Sequence, residues 1–400
     1  MLQPHAFSEP IYSHRAAATR RAWVDINLDA IRQNARRLRA RAGVPLVAMV
    51  KSDGYGTGLL PVVRTLGAAF VGDDDTVRDV EAPWAFGVAT LDEAAVLRQA
   101  GCTARVLCTT PLTVSELSDA RSLDVRPALH RAEDITVWSA LGGGAWHLSI
   151  DTGMSRAGVR WDEVLPLASV LRDHPPEGVF THFHSADLTD ATRETQERRF
   201  LDARRALGHA VPPNALIHSD NSAAIAARGP SPGHLARPGI GLYGSTATTA
   251  LGLEQVVHLR ARIIDLRDVH DTESVSYGAT FHATGTKRIA TVAIGYADGY
   301  RRALSNCGEA LIRGQRVPVV GTVTMDMTML DVTALSNICA IGDIATLIGC
   351  DGGDCLTTDE VAARGGLSPY ELLVGLRLRA PRQYFESTPT YPPVDDVVPP

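Results

Sequence analysis

Eight short apolar runs, each closing on polar or glycine residues, recur between Ala22 and Gly244, and helical periodicity fills the stretches between them. They are VPLVAMV (Val44–Val50), WAFGVAT (Trp84–Thr90), ARVLCTT (Ala104–Thr110), DVRPALH (Asp124–His130), WHLSIDT (Trp146–Thr152), GVFTHFH (Gly178–His184), NALIHSD (Asn214–Asp220) and a last one at LARPGIGLYG (Leu235–Gly244). Strand and helix in strict alternation build a parallel sheet covered by its crossover helices. Eight slots between residues 21 and 252 match one (β/α)8 barrel of TIM type, whose usual size is about 250 residues. The segments LDAIRQNARRLRARAG and LDEAAVLRQAG have the amphipathic spacing and terminal glycine of barrel helices.

Past Gly252 the texture changes to alternating apolar and polar residues broken by turn signals, as in VVHLRARIIDLRDV, KRIATVAIG, EALIRGQRVPVVGTVTMDMTMLDV and GDIATLIG. This pattern predicts a second, mostly antiparallel β domain. The run GGDCLTTDEVAARGG predicts one helix, capped at Thr357 or Thr358 and stopped at Gly365. The expected organisation is a flexible extension over 1–20, an α/β barrel over 21–252, the β domain over 253–386 and a flexible Pro-rich tail over 387–400. The charged stretch VGDDDTVRDVEAP (Val71–Pro83) is expected to be an unstructured insertion.

Lys plus Arg number 39 against 45 Asp plus Glu, a net charge of −6, so the clustered cationic excess of a nucleic-acid binder is missing. No apolar run approaches the roughly 18 residues of a membrane span, and the first twenty residues hold no continuous apolar segment of a secretory signal. The expected compartment is the cytoplasm. The six cysteines show neither a CxxC pair nor a matching His spacing, which predicts separate thiols and no metal site. His182 and His184 in THFHSAD share one strand face, but no carboxylate-rich segment accompanies them, so they are not expected to ligate a metal.

Lys51 follows directly on VPLVAMV and opens SDGYGTG, which puts an amine at the carboxyl end of the first barrel strand, where barrel active sites are built. Desolvation after seven apolar residues lowers the pKa of an amine toward the free base that a Schiff base requires. Gly54, Gly56 and Gly58 around Tyr55 allow backbone to approach a bulky anion. GIGLYG (Gly239–Gly244) satisfies GxGxxG formally, yet Pro238 precedes it and STATTALG after it is a poor helix. A dinucleotide site is therefore not expected, while a phosphate cradle of backbone amides is.

In order along the chain, MVKSDGYGTG, DTGMSRAG, THFHSAD, HSDNSAA, ARPGIGLYG, VSYGATF, AIGYADGY, GTVTMDMTMLD and LRAPR resemble the motifs of the alanine racemases, over roughly Arg21–Tyr384. The resemblance implies a pyridoxal-phosphate enzyme that racemises a small amino acid, alanine by default, as a homodimer with shared sites. It implies that Lys51 binds the cofactor and that Tyr277 of the partner subunit is the second base. Racemisation removes a proton from one face of the α-carbon and returns it to the other, so two opposed acid/base groups are needed. A phenol with an ordinary pKa near 10 needs a neighbour that stabilises its phenolate, and the resemblance supplies His182, oriented by Arg237. It also sets Arg237 against the pyridine nitrogen, Tyr55, Asn221, Ser222, Gly239 and Ile240 at the phosphate, and Arg156 at the cofactor's phenolic oxygen and the substrate carboxylate. Tyr296, Met325 and Asp326 are implied as a substrate wall from the other subunit.

Departures accompany the matches. Ser52, Gly54 and Thr57 stand where the family pattern has Ala, Ala and His, and Leu378 replaces a tyrosine or glycine. Ser149 stands where many relatives carry a carboxylated lysine that supports the arginine equivalent to Arg156. These changes leave open a racemase for serine or another amino acid, and a lyase or aldolase on the same scaffold. Tyr277 in its full VSYGATF context favours racemisation over those, and over a non-catalytic cofactor carrier.

Overall fold

The computed structural model describes residues 20–71, 82–188, 190–245, 251–387, 389 and 391. All but the last residue of the expected extension over 1–20, and most of the charged insertion and of the Pro-rich tail, lie outside them. The chain divides into two compact units, one of residues 31–254 and one of residues 1–30 with 255–400.

In chain order the strands up to residue 237 are β1 (Ala22–Asn27), β2 (Val47–Met49), β3 (Ala85–Val88), β4 (Val106–Cys108), β5 (Val125–Leu129), β6 (His147–Asp151), the short β7 (Val159–Arg160), β8 (Gly178–Phe180), β9 (Leu216–Asn221) and β10 (Leu235–Arg237). Parallel pairing runs β10-β9-β8-β6-β5-β4-β3-β2, with β7 against β6. A bridge from Leu46 to Ala236 and the bond from Met49 N to Pro238 O, 2.9 Å, join the last strand to the first. Eight parallel strands thus close into a barrel. Most of their residues are buried, as a sheet covered on both faces requires.

The second unit is mostly antiparallel. Its strands are β1 and then β11 (Val257–Val269), β12 (Ser274–Val275), β13 (Phe281–His282), β14 (Lys287–Val292), β15 (Glu309–Ile312), β16 (Gln315–Pro318), β17 (Thr328–Asp331), β18 (Ile344–Asp351), β19 (Asp354–Leu356) and β20 (Arg382–Phe385). The long β11 is the spine, antiparallel to β1, β14 and β18, and among the described residues of this unit only β1 with β20 is parallel. A small core of Val269, Val275, Ala283, Ile289 and Val320 underlies the β12–β13 hairpin.

Four expectations change. The expected barrel boundary at residue 21 moves to about 31, because β1 pairs with β11 and β20 and buries Trp23, Val24 and Ile26 with them. Cys350 and Cys355 form a disulfide instead of separate thiols, since the β18–β19 register sets them directly opposite each other. The predicted helix over GGDCLTTDEVAARGG is only its second half, Thr358–Arg364, capped by Thr357 and ended at Gly365; the first half completes that hairpin. Tyr391, in the tail expected to be flexible, packs edge-on against Trp23 and donates its hydroxyl hydrogen to Asp25 at 3.0 Å. No helix among the described residues is long and apolar enough to cross a membrane.

Candidate active site at the carboxyl ends of the barrel strands

Lys51 starts a tight turn directly after β2. Ser52, Asp53, Gly54 and Tyr55 all take left-handed backbone angles, with φ of 55, 54, 62 and 53°. For residues other than glycine this conformation costs about 1–2 kcal/mol each, so the surroundings must impose it. Asp53 accepts from Leu59 N at 2.8 Å, Thr57 Oγ1 donates to Gly54 O at 2.5 Å, and Ser52 N donates to Glu93 at 2.5 Å. Burial, and then the Arg156 guanidinium, hold the Lys51 amine below its ordinary pKa, while Glu93 opposes them. Lys51 is one of only two lysines in the chain; the other, Lys287, is paired with Asp331 at 3.1 Å.

At the end of β10 sits Arg237, only 4% exposed. Its Nη1 donates to His218 Nδ1 and His218 O at 2.7 and 2.9 Å, and its Nη2 to Thr181 O and Ser219 O at 2.6 and 3.2 Å and toward His182 Nδ1 at 3.5 Å. An arginine can only donate, so Nδ1 of His218 must accept and its Nε2 carries the proton. That proton goes to His147 Nδ1 at 2.7 Å, and His147 Nε2 in turn donates to Glu177 at 3.2 Å. One orientation runs through both imidazoles. Burial would raise the Glu177 pKa, but hydrogen bonds from His147 and Arg126 outweigh it and hold it at about 2. The row therefore joins a cation at the strand ends to an anion beyond the strand starts. At Gly178, which opens β8, a Cβ would strike the His147 ring, so only glycine admits this contact.

Burial keeps His147, His182 and His218 neutral; for His182, Arg237, Arg156 and Lys51 add to it and bring the value to about 3. An unfolded histidine titrates near 6.5, so below that pH the unfolded chain binds protons that the folded one refuses. Stability is thus fully present above about pH 6.5 and falls with acid, at about 1.4 kcal/mol per pH unit for each such imidazole. Denaturant titrations at pH 7 and pH 5 are expected to differ by at least about 3 kcal/mol, and equal midpoints would contradict neutral burial.

The expected phosphate residues gather beside this row. Tyr55 is buried with its ring stacked on Tyr243 at 4.7 Å. Ser222 Oγ accepts from Gly239 N and Gly241 N at 2.9 and 3.1 Å. A Cβ at Gly239 would collide with the Tyr55 hydroxyl, so only glycine lets that hydroxyl approach the backbone at Gly239 and Ile240 this closely. The Asn221 side chain accepts from Ala224 N at 2.9 Å, capping the helix Ser222–Arg228. Its side-chain oxygen is thus committed to the helix cap. Arg156 is exposed in the loop after β6, and Ser149 is buried on β6. His184 pairs with Ser185 at 2.7 Å.

Tyr277, Tyr296, Met325 and Asp326 belong to the second unit. Tyr277 tips the β12–β13 hairpin and is 70% exposed. Thr322 Oγ1 donates to Tyr277 O, and Tyr296 N to Thr324 O, which ties the segments carrying Tyr277, Tyr296 and Met325 together. The Asp326 carboxylate, expected at the substrate, accepts from Arg379 at 2.7 Å, and Arg379 also holds Asp298 at 2.7 and 2.9 Å. Asp326 therefore anchors the Met325 turn.

Glu93, the pair His147 and Glu177, and the bracing role of Arg379 are not legible as parts of a site from the sequence alone. Glu93 did carry a signal, the Thr90-x-x-Glu93 capping pattern, but that pattern speaks only of a helix start. Nothing local marks His147 or Glu177, whose partners come from other strands.

Family models for the N-terminal and C-terminal domains of alanine racemase match residues 26–247 and 256–384. An alanine racemase from Geobacter sp. (strain M21) is 38% identical over 389 residues, covering 90% of this chain and 98% of its own. The crystal structure of alanine racemase from Bacillus anthracis with bound L-Ala-P is 32% identical and superposes with a TM-score of 0.79, over 92% of this chain and 95% of that one. Alanine racemase from Bartonella henselae with covalently bound pyridoxal phosphate is 25% identical, with a TM-score of 0.80, over 92% of this chain and all of that one.

Proposed function

The chain belongs to the alanine racemase family, and from that premise we propose that it interconverts L- and D-alanine with pyridoxal phosphate, as a homodimer whose two subunits complete each site. The observation that carries the reading is one amine, Lys51, held below its ordinary pKa at the same strand ends as a buried, fully oriented Arg237. The residues fit the cofactor: Lys51 would offer the amine, while Tyr55, Ser222 and the backbone at Gly239 and Ile240, which Ser222 already gathers, would hold its phosphate. Both Nη atoms of Arg237 are engaged by protein acceptors, so Nε–H is the donor that Arg237 would offer to the cofactor's ring nitrogen. When bound, pyridoxal phosphate supplies the conjugated ring that withdraws electrons from the α-carbon.

The acid/base work falls to two side chains. Lys51 Nζ handles the proton on one face, and the Tyr277 hydroxyl of the partner subunit handles it on the other. His182 is neutral, and the Arg237 donor at its Nδ1 puts its proton on Nε2. That N–H is suited to donate to the phenolate oxygen of Tyr277. Arg237 remains a cation, because burial brings it only to about 10; it cannot act as the acid that would protonate the ring. This favours rapid return of the α-proton.

Loss of optical rotation across single-enantiomer amino acids tests the proposal. Both alanine enantiomers should racemise fastest, and faster racemisation of another amino acid, or release of carbon dioxide, would overturn it. Ser149 adds a second arm to the panel. A serine cannot form a carbamate, so activity should not respond to bicarbonate, whereas Ser149→Lys should gain a bicarbonate response or about tenfold in alanine over serine. That factor corresponds to one buried charged hydrogen bond of about 1.5–3 kcal/mol.

A further inference from the structure

Glu93 lies in the first turn of the helix Leu91–Gln99, where it forms a capping box with Thr90. A capping box needs one carboxylate oxygen, and Oε2 supplies it, accepting from Ala89 N at 2.8 Å and Thr90 N at 3.4 Å. Oε1 is used outside the helix: it accepts from Ser52 N at 2.5 Å, on the residue directly after Lys51. Donors thus meet both oxygens from opposite sides. A glutamine in the same place could satisfy one of them and would turn an NH2 group against the other.

From this we infer that Glu93 is the positioning residue of the Lys51 turn: by bridging the end of β3 to the first amide after Lys51, its carboxylate holds the left-handed turn closed and keeps the lysine amine at the mouth of the barrel. The inference rests on the reading of Lys51 as the cofactor-binding amine. The bridge acts on the turn where support is most needed, because Ser52, Asp53 and Tyr55 all hold a conformation that L-residues resist. Of the charged and titratable groups around the amine, Arg156 comes from the loop after β6, His182 follows β8 and Asp53 belongs to the turn itself. Cys108, beyond β4, is held as a neutral thiol by burial, at about 11. Glu93 is the anion that offsets Arg156 at Lys51.

The presence of only two lysines allows a direct test on the cofactor-free full-length chain. Lys51 and Lys287 are labelled with an amine-selective reagent across a pH series and scored separately by mass spectrometry, alongside hydrogen exchange of the segment 50–58. In Glu93→Gln the Lys51 labelling midpoint should fall by about one pH unit, and the Ser52 amide should exchange about tenfold faster, with Lys287 unchanged. Glu93→Asp keeps the charge and should recover most of the midpoint but not the slow exchange. Thr90→Ala weakens the cap alone and should alter neither. A Glu93→Gln profile that superimposes on the wild type, or a Thr90→Ala effect as large, would overturn the assignment. Protection of wild-type Lys51 by added pyridoxal phosphate reports separately on the cofactor reading, so the two ideas fail independently.

Discussion

Lys51→Ala is expected to lose covalently trapped cofactor altogether and to lower alanine racemisation by about 10⁴-fold or more. The effect is large because no neighbouring amine can substitute: the only other lysine is Lys287, which lies in β14 and is paired with Asp331. Stability should change far less, since the Lys51 turn is closed by Asp53, Thr57 and Glu93 and not by the amine itself. The measurement is borohydride reduction followed by intact-mass analysis, beside optical rotation. Cofactor still attached to the variant would sink the assignment of Lys51.

Tyr277→Phe is expected to cost about 10² to 10⁴ in rate and almost nothing in the stability of its own subunit, because it removes only a hydroxyl from a side chain 70% exposed on that subunit, and such substitutions stay within about 0.5 kcal/mol. If each site is completed by the partner subunit, the two inactive variants should rescue each other. A Lys51→Ala subunit paired with a Tyr277→Phe subunit builds one site with both groups and one with neither. Random exchange between equal amounts should then return about a quarter of wild-type activity, the share set by two-fold pairing. Exchange verified by mass, with no recovered activity, would show that Tyr277 does not act across subunits.

Much of this was legible in the chain itself. The eight apolar runs specified a barrel because the periodicity of a buried parallel strand is local, written in four to eight consecutive residues. Lys51 could be picked out by the same local logic, as a charge at the end of such a run. The alternation after Gly252 announced antiparallel strands, though not that β1, which precedes the barrel, would pair with β11 and β20. Strand partners far apart in sequence are chosen by which faces must be buried together, and nothing local in AWVDIN names the partners of β1. The Cys350–Cys355 pair escaped for a related reason, since its spacing becomes meaningful only once the hairpin register is known.

The sequence by itself determined the barrel followed by a β domain, the amine at the strand ends and the motifs that mark the family. Only the tertiary structure decided how those groups are tuned. The row from Arg237 through His218 and His147 to Glu177 draws its members from three strands and the segment entering β8, and the grip on the Lys51 turn comes from a helix some forty residues away. Hydrogen bonds and desolvation act over a few ångströms of space and take no account of sequence distance. A residue's identity is therefore written in the chain, while its proton, its orientation and its charge are set by the neighbours that folding brings to it.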